Sequence, residues 1–132
     1  MIRSLFLLLL VFNVSAPVSA GEEAPQTIPR SSRVARTWHG KVANGRAGEY
    51  EAYLTEQVKG FSSIAGNQGY TVLKETRGDE THFMVISFWD SRKSIEAYAG
   101  KNIDRVHALP RDKEFLKDPE STVMNYEIIT RR

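Results

Sequence analysis

His82-Phe83-Met84-Val85-Ile86-Ser87-Phe88-Trp89 is a run of aliphatic and aromatic residues that is apolar on both parities. A strand with one wet face alternates, so this run reads as a central strand covered on both sides. Immediately before it, Arg77-Gly78-Asp79-Glu80 has tight-turn composition, and Tyr70 to Thr76 is a second β-rich run. The stretches Tyr70 to Thr76 and Thr81 to Trp89 therefore form a hairpin, the second and third strands. Further upstream, Gly60, Gly66, Asn67 and Gly69 mark a loop, and Ala47, Tyr50, Leu54, Val58 and Phe61 form one apolar stripe at helical spacing. The first strand runs from Arg33 to Val42, with Val34, Trp38 and Val42 on one face and Ala35, Thr37 and His39 on the other, until Asn44-Gly45 breaks it.

Downstream, Asp90 or Ser91 caps a second helix that turns Ile95 and Tyr98 inward and stops at Gly100. Asn102 caps a further short turn in which Ile103, Val106 and His107 share a face before Pro110 interrupts it. After a charged loop containing Phe115 and Leu116, Thr122 to Ile129 alternates as the fourth strand. The order β-α-β-β-α-β is the ferredoxin-like α+β arrangement. Two helices cover only one face of a four-stranded sheet, whereas the third strand calls for cover on both. A second copy supplies it: a homodimer through the sheet face is expected, a dimeric α+β barrel in which each protomer keeps a pocket between sheet and helices.

The N-terminus carries Arg3, an apolar run from Leu5 to Phe12, and small residues at Val18-Ser19-Ala20. Residues 1–20 are thus expected to be a cleavable signal peptide, with the protein periplasmic or secreted. That run is shorter than the roughly 20 residues a bilayer span needs, so no membrane association is expected after cleavage. Residues 21–32, rich in proline, glutamate and serine, read as a flexible tether, and 33–130 as one folded domain. The 132 residues include no cysteine, which excludes disulfides and a lipid-attachment cysteine. Eighteen basic and sixteen acidic residues interleave without a basic stripe, so nucleic acid is not an expected partner.

Phe88-Trp89-Asp90-Ser91-Arg92-Lys93-Ser94-Ile95-Glu96-Ala97-Tyr98 resembles the strand-to-helix signature of the antibiotic biosynthesis monooxygenase (ABM) family. Gly66-Asn67-Gln68-Gly69-Tyr70 and Tyr126-Glu127-Ile128 are similar to that family as well, and the resemblance extends over Val34 to Ile129. It implies an oxygenase whose electron-rich substrate is its own reductant, in a pocket that needs shape, polar anchors and dryness rather than a flavin. The haem-degrading relatives place a haem-ligating histidine after the second helix, where His107 stands here. They also use a tryptophan one helical stretch earlier and an asparagine on the first strand, where this chain has Ala97 and Tyr98, and Arg36 and Thr37. The resemblance therefore leaves haem binding through His107 open but argues against haem breakdown by that route.

Candidate catalytic residues are His107, Arg36 and His39. Arg36 and His39 lie on opposite parities of the first strand, so at most one faces the helix-covered pocket. Trp38, Tyr50, Trp89 and Tyr98 are candidate substrate-binding residues, although aromatics at helical spacing more often belong to a core. With three histidines, no cysteine and no i, i+4 histidine pair, no metal site is expected. Asn67 reads as a turn residue, and no nucleophile elbow surrounds any serine. The function expected is an exported ABM-type monooxygenase acting on a small aromatic or quinol compound without flavin or metal. The alternative is a non-catalytic haem or small-molecule binder using His107.

Overall fold

The computed structural model describes residues 27–132, and the expected signal peptide lies outside the described residues. Strand β1 (Val34–Ala43) leads through a short 3-10 turn into helix α1 (Ala47–Lys59). Strands β2 (Asn67–Arg77) and β3 (Glu80–Trp89) follow, then helix α2 (Arg92–Ala99), the single-turn helix α3 (Asp112–Phe115) and strand β4 (Met124–Glu127). The sheet order is β2-β3-β1-β4 with every neighbouring pair antiparallel. This is the ferredoxin-like α+β fold, with the two longer strands of the hairpin and β1 forming its body. The β2–β3 connection is the tight turn expected, with Gly78 at φ 59° supplying the left-handed conformation that its first central position requires.

Pleating divides the side chains between two faces. On β3, Thr81, Phe83, Val85, Ser87 and Trp89 are buried toward the helices, while Met84 is 37% exposed on the other side. Tyr50, Leu54 and Val58 of α1 pack on Val42, Phe83 and Val85, and Ile95 of α2 joins Val34 and Trp89 in a second cluster. Each of these buried side chains contributes on the order of 1.5–3 kcal/mol. Ser91 caps α2 by accepting a hydrogen bond from the Ser94 amide, and Gly100, at φ 93°, ends it. Leu73, Met84, Met124 and Tyr126 are left between 37% and 56% exposed, and strand register puts all four on the open face.

Several segments differ from the sequence expectation, among them the expected loop residues Asn67 and Gly69, which belong to β2. Residues 102–107 form no helical turn with a shared face: Asn102 Oδ1 accepts from the Asp104 amide, and the chain then runs alongside residues 121–123. The asparagine side chain competes for backbone donors and favours a turn, and residues 121–123 offer hydrogen bonds that a helix would have made internally. The expected charged loop contains α3, anchored because Phe115 is buried against Tyr50 and Tyr53, with ring centroids 5.2 and 6.0 Å away. The fourth strand stops at Glu127, and Ile129 is 87% exposed. At the domain's start, Ser32 is buried and the Ser31 hydroxyl lies 2.5 Å from Gln68 Oε1, so the last residues of the expected tether lie against the fold.

Gly66 combines φ 85° with no room for a side chain: a Cβ there would stand 2.1 Å from Ser94 Oγ and 2.7 Å from Asp90 Oδ1. We expect Gly66→Ala to lower stability by about 2 kcal/mol or more in urea unfolding, from left-handed strain plus overpacking. Gly45→Ala, where nothing lies within 4 Å, is expected to be close to neutral. Equal effects of the two substitutions would contradict the close packing of the Gly66 loop on the start of α2.

Candidate active site

Between the helix-facing side of the sheet and its cover lies a small, half-open pocket. The sheet contributes Arg36 and Trp38 from β1 and Val85 and Ser87 from β3. Leu54 and Val58 come from α1, Phe61 from the turn after it, and Tyr98 from α2. His107, Leu109 and Asp112 close the far side. The lining is apolar with a few convergent polar groups, the usual composition of a small-molecule site.

Arg36 is only 5% exposed. Its Nη1 donates to the Ile103 carbonyl and, at 3.3 Å, to Asn125 Oδ1, and its Nη2 donates to the Arg105 carbonyl at 2.8 Å. Asn125 reinforces the clasp by donating to Ile103 O and Asp104 Oδ1 at 3.1 and 2.9 Å. The segment that failed to become helical is thus pinned to β1 and β4. Burial lowers the Arg36 pKa, with Tyr98 and Asp104 opposing; a guanidinium nonetheless stays charged.

Tyr98 stands between Trp89 and His107, with ring centroids 5.5 and 4.6 Å away. Burial raises the pKa of its phenol, and the Arg36 charge pulls the other way. Asp112 is buried, accepting from the Tyr50 hydroxyl at 3.0 Å and from the Leu109 amide at 2.9 Å. Burial is the largest influence on its carboxyl and raises its pKa above the ordinary 3.8, against those two hydrogen bonds. Burial, followed by Asp112, pushes the Tyr50 phenol far up.

Of the residues singled out in the sequence, the structure brings Arg36, Trp38, Tyr98 and His107 to one pocket. The choice between the two candidates on β1 falls to Arg36. His39 occupies the opposite sheet face, its Nδ1 2.6 Å from Glu120 Oε1 and its Nε2 2.9 Å from His82 Nδ1. Tyr50 and Trp89 are fully buried behind the pocket: Tyr50 holds Asp112, and Trp89 Nε1 donates to Ser87 Oγ at 2.9 Å. His107 is exposed at the mouth. Sequence reasoning missed Ser87, Asp112 and Asn125. Ser87 was detectable as a polar residue among apolar neighbours on the inward parity of β3, whereas nothing local marked Asp112 or Asn125. Among the described residues, no three histidine or carboxylate side chains converge to hold a metal ion.

The fold is ferredoxin-like α+β, with a half-open pocket on the helix side of the sheet. A family model described as antibiotic biosynthesis monooxygenase matches residues 37–102, half of the chain, and the chain belongs to that family. No curated protein matches the sequence. Among solved structures, a protein of unknown function from Nitrosomonas europaea is 12% identical, with a TM-score of 0.60 over 79% of this chain and 96% of its own. A candidate antibiotic biosynthesis monooxygenase from Bacillus cereus is 13% identical, with a TM-score of 0.55 over 76% and 97%. The haem degrader MhuD from Mycobacterium tuberculosis, solved with two haems in its active site, is 20% identical, with a TM-score of 0.54 over 75% and 98%. At such identities the likeness is one of fold.

Because the Asp112 pKa is raised on folding, the folded state binds its proton more tightly than the unfolded chain does. The stability gained from the neutral acid is full below pH 3.8 and is lost as pH rises through the folded pKa. Chemical denaturation of wild type and Asp112→Asn should therefore show wild type gaining relative stability as pH falls from 7 toward 4. A difference independent of pH would contradict the buried position of this carboxyl.

Proposed function

We propose that this chain is an exported ABM-type monooxygenase that oxidises a small aromatic or quinol compound without flavin or metal. The observation that carries the reading is the pocket of a family member walled by Trp38, Phe61 and Tyr98, flat apolar surfaces suited to a ring. In such a reaction a quinol and one O₂ give a hydroxyquinone and one water. One oxygen atom enters the ring, and the quinol's two electrons and two protons reduce the other. The protein's share is to hold the ring, exclude water and relay a proton. Exposed His107 at the pocket mouth is placed for the relay. Processing after Ala20 would leave a mature N-terminus at Gly21.

Oxygen consumption by the purified protein with a panel of phenols and quinols, with no flavin or metal added, tests this reading. We expect uptake with at least one compound and a tenfold or greater loss of kcat/KM in Trp38→Ala, from the removed ring contact. No uptake across the panel would sink it. The second reading, haem binding, is favoured by the His107 imidazole against Tyr98 at that mouth. His107 would hold the haem iron through its neutral imidazole. A saturable Soret shift with haemin that His107→Ala abolishes is its signature, and an unchanged spectrum removes it.

The open sheet face supports a homodimer, because Leu73 and Met84 are cross-strand neighbours on it and Met124 and Tyr126 present further apolar surface on β4. Sedimentation equilibrium should return twice the chain mass for wild type and the single mass for Met84→Lys. A monomeric wild type at micromolar concentration would refute the pairing.

A further inference from the structure

Two buried ionisable groups line the pocket, and their surroundings differ in kind. Asp112 has one carboxylate oxygen taken by the Tyr50 hydroxyl and the other by the Leu109 amide. Arg36 has only neutral oxygens as partners, the carbonyls of Ile103 and Arg105 and the amide of Asn125. Neutral acceptors satisfy N–H groups but do not cancel a unit charge, and a charge moved out of water calls for a counter-charge. Among the described residues no carboxylate forms an ion pair with Arg36. Asp104, exposed and held by Asn125, acts on it only as a longer-range charge.

The commitments of the guanidinium can be counted. Nη1 carries two hydrogen bonds and Nη2 one, which leaves one Nη2 hydrogen and the Nε hydrogen without a protein partner among the described residues. Tyr98, lining the same pocket and sensing the Arg36 charge, also has a hydroxyl with no hydrogen-bond partner among those residues. A fixed cation and a free phenolic donor facing a largely apolar cleft form a receptor for one kind of group. We propose that this pocket binds an anion: an aromatic compound that presents a carboxylate or phenolate oxygen to Arg36 and Tyr98. The inference rests on the reading of the pocket as the ligand site and does not require turnover. It narrows the substrate class to ring compounds bound in their anionic form.

The probes are 2-naphthoate and its neutral counterpart 2-naphthamide, titrated at pH 7 against the purified protein by calorimetry. A third probe is 4-nitrophenol, whose ionisation is followed by its visible absorbance. A charge-assisted contact predicts naphthoate binding about tenfold or more tightly than naphthamide. In the phenol arm, bound 4-nitrophenol should ionise at a lower pH than the free compound. Preference in the first arm identifies a carboxylate, and a shift in the second identifies a phenolate; either supports the proposal. Arg36→Gln should erase the preference, and Arg36→Lys should retain part of it. Because Arg36 also clasps residues 103–105, Tyr98→Phe provides a second variant, expected to lower the preference several-fold without disturbing the clasp.

Equal affinity for naphthoate and naphthamide in wild type, with an unshifted nitrophenol transition, would overturn the proposal whatever the variants do. Failure of all three probes to bind would remove the pocket reading and this inference together. Charge preference without oxygen uptake would leave the anion site standing and dismiss the monooxygenase. Oxygen uptake with neutral substrates and no charge preference would do the reverse.

Discussion

The antiparallel register between β1 and β3, unbroken from Val34 opposite Trp89 to Ala43 opposite Glu80, settles which chemistry meets which face. A slip of one residue along either strand would exchange the two faces. Arg36 and Trp38 would then leave the helix side, and Thr37 and His39 would enter it. That register is enforced by the burial of Val34, Val42, Phe83, Val85 and Trp89 on a single side. The partition into a pocket face and an open apolar face follows from it.

The pocket floor is polar because β1 and β3 carry Arg36 and Ser87 inward. Arg36 and Ser87 are cross-strand partners there, and neither is wasted on water. Ser87 accepts from Trp89 and donates to the Arg36 carbonyl, while Arg36 reaches across to the 103–105 segment. One side chain thus stabilises a loop that lacks regular structure and places a cation beside the cavity. Asp112 is the counterpart on the far wall, tying α3 to α1 through Tyr50. Both are expensive groups to bury, and the hydrogen bonds they make within the protein offset part of that cost.

Much of this was legible in the residues. The doubled apolar parity of His82 to Trp89, the Gly78 turn and the Tyr50-Leu54-Val58 stripe placed the sheet, the hairpin and the first helix. The Phe88 to Tyr98 signature pointed to the family. Strand parity had also limited Arg36 and His39 to one pocket residue between them, but it could not say which. That depended on the helices covering the even-numbered side of β1. The 102–107 segment was misread because an i, i+3, i+4 apolar pattern over so few residues is too short to nucleate a helix against a competing Asn102 turn. Asp112 and Asn125 were invisible because their roles arise from partners far along the chain, Tyr50 and Arg36, and sequence spacing carries no record of such meetings.

We propose that ligand chemistry belongs to the helix-covered face and pairing to the open one. Amide and side-chain NMR of the labelled protein titrated with 2-naphthoate addresses it most directly. Shift changes should concentrate at Arg36, Trp38, Ser87 and Tyr98, with His39, Met84 and Tyr126 unmoved. Changes confined to the open face, or none at saturating probe, would contradict it.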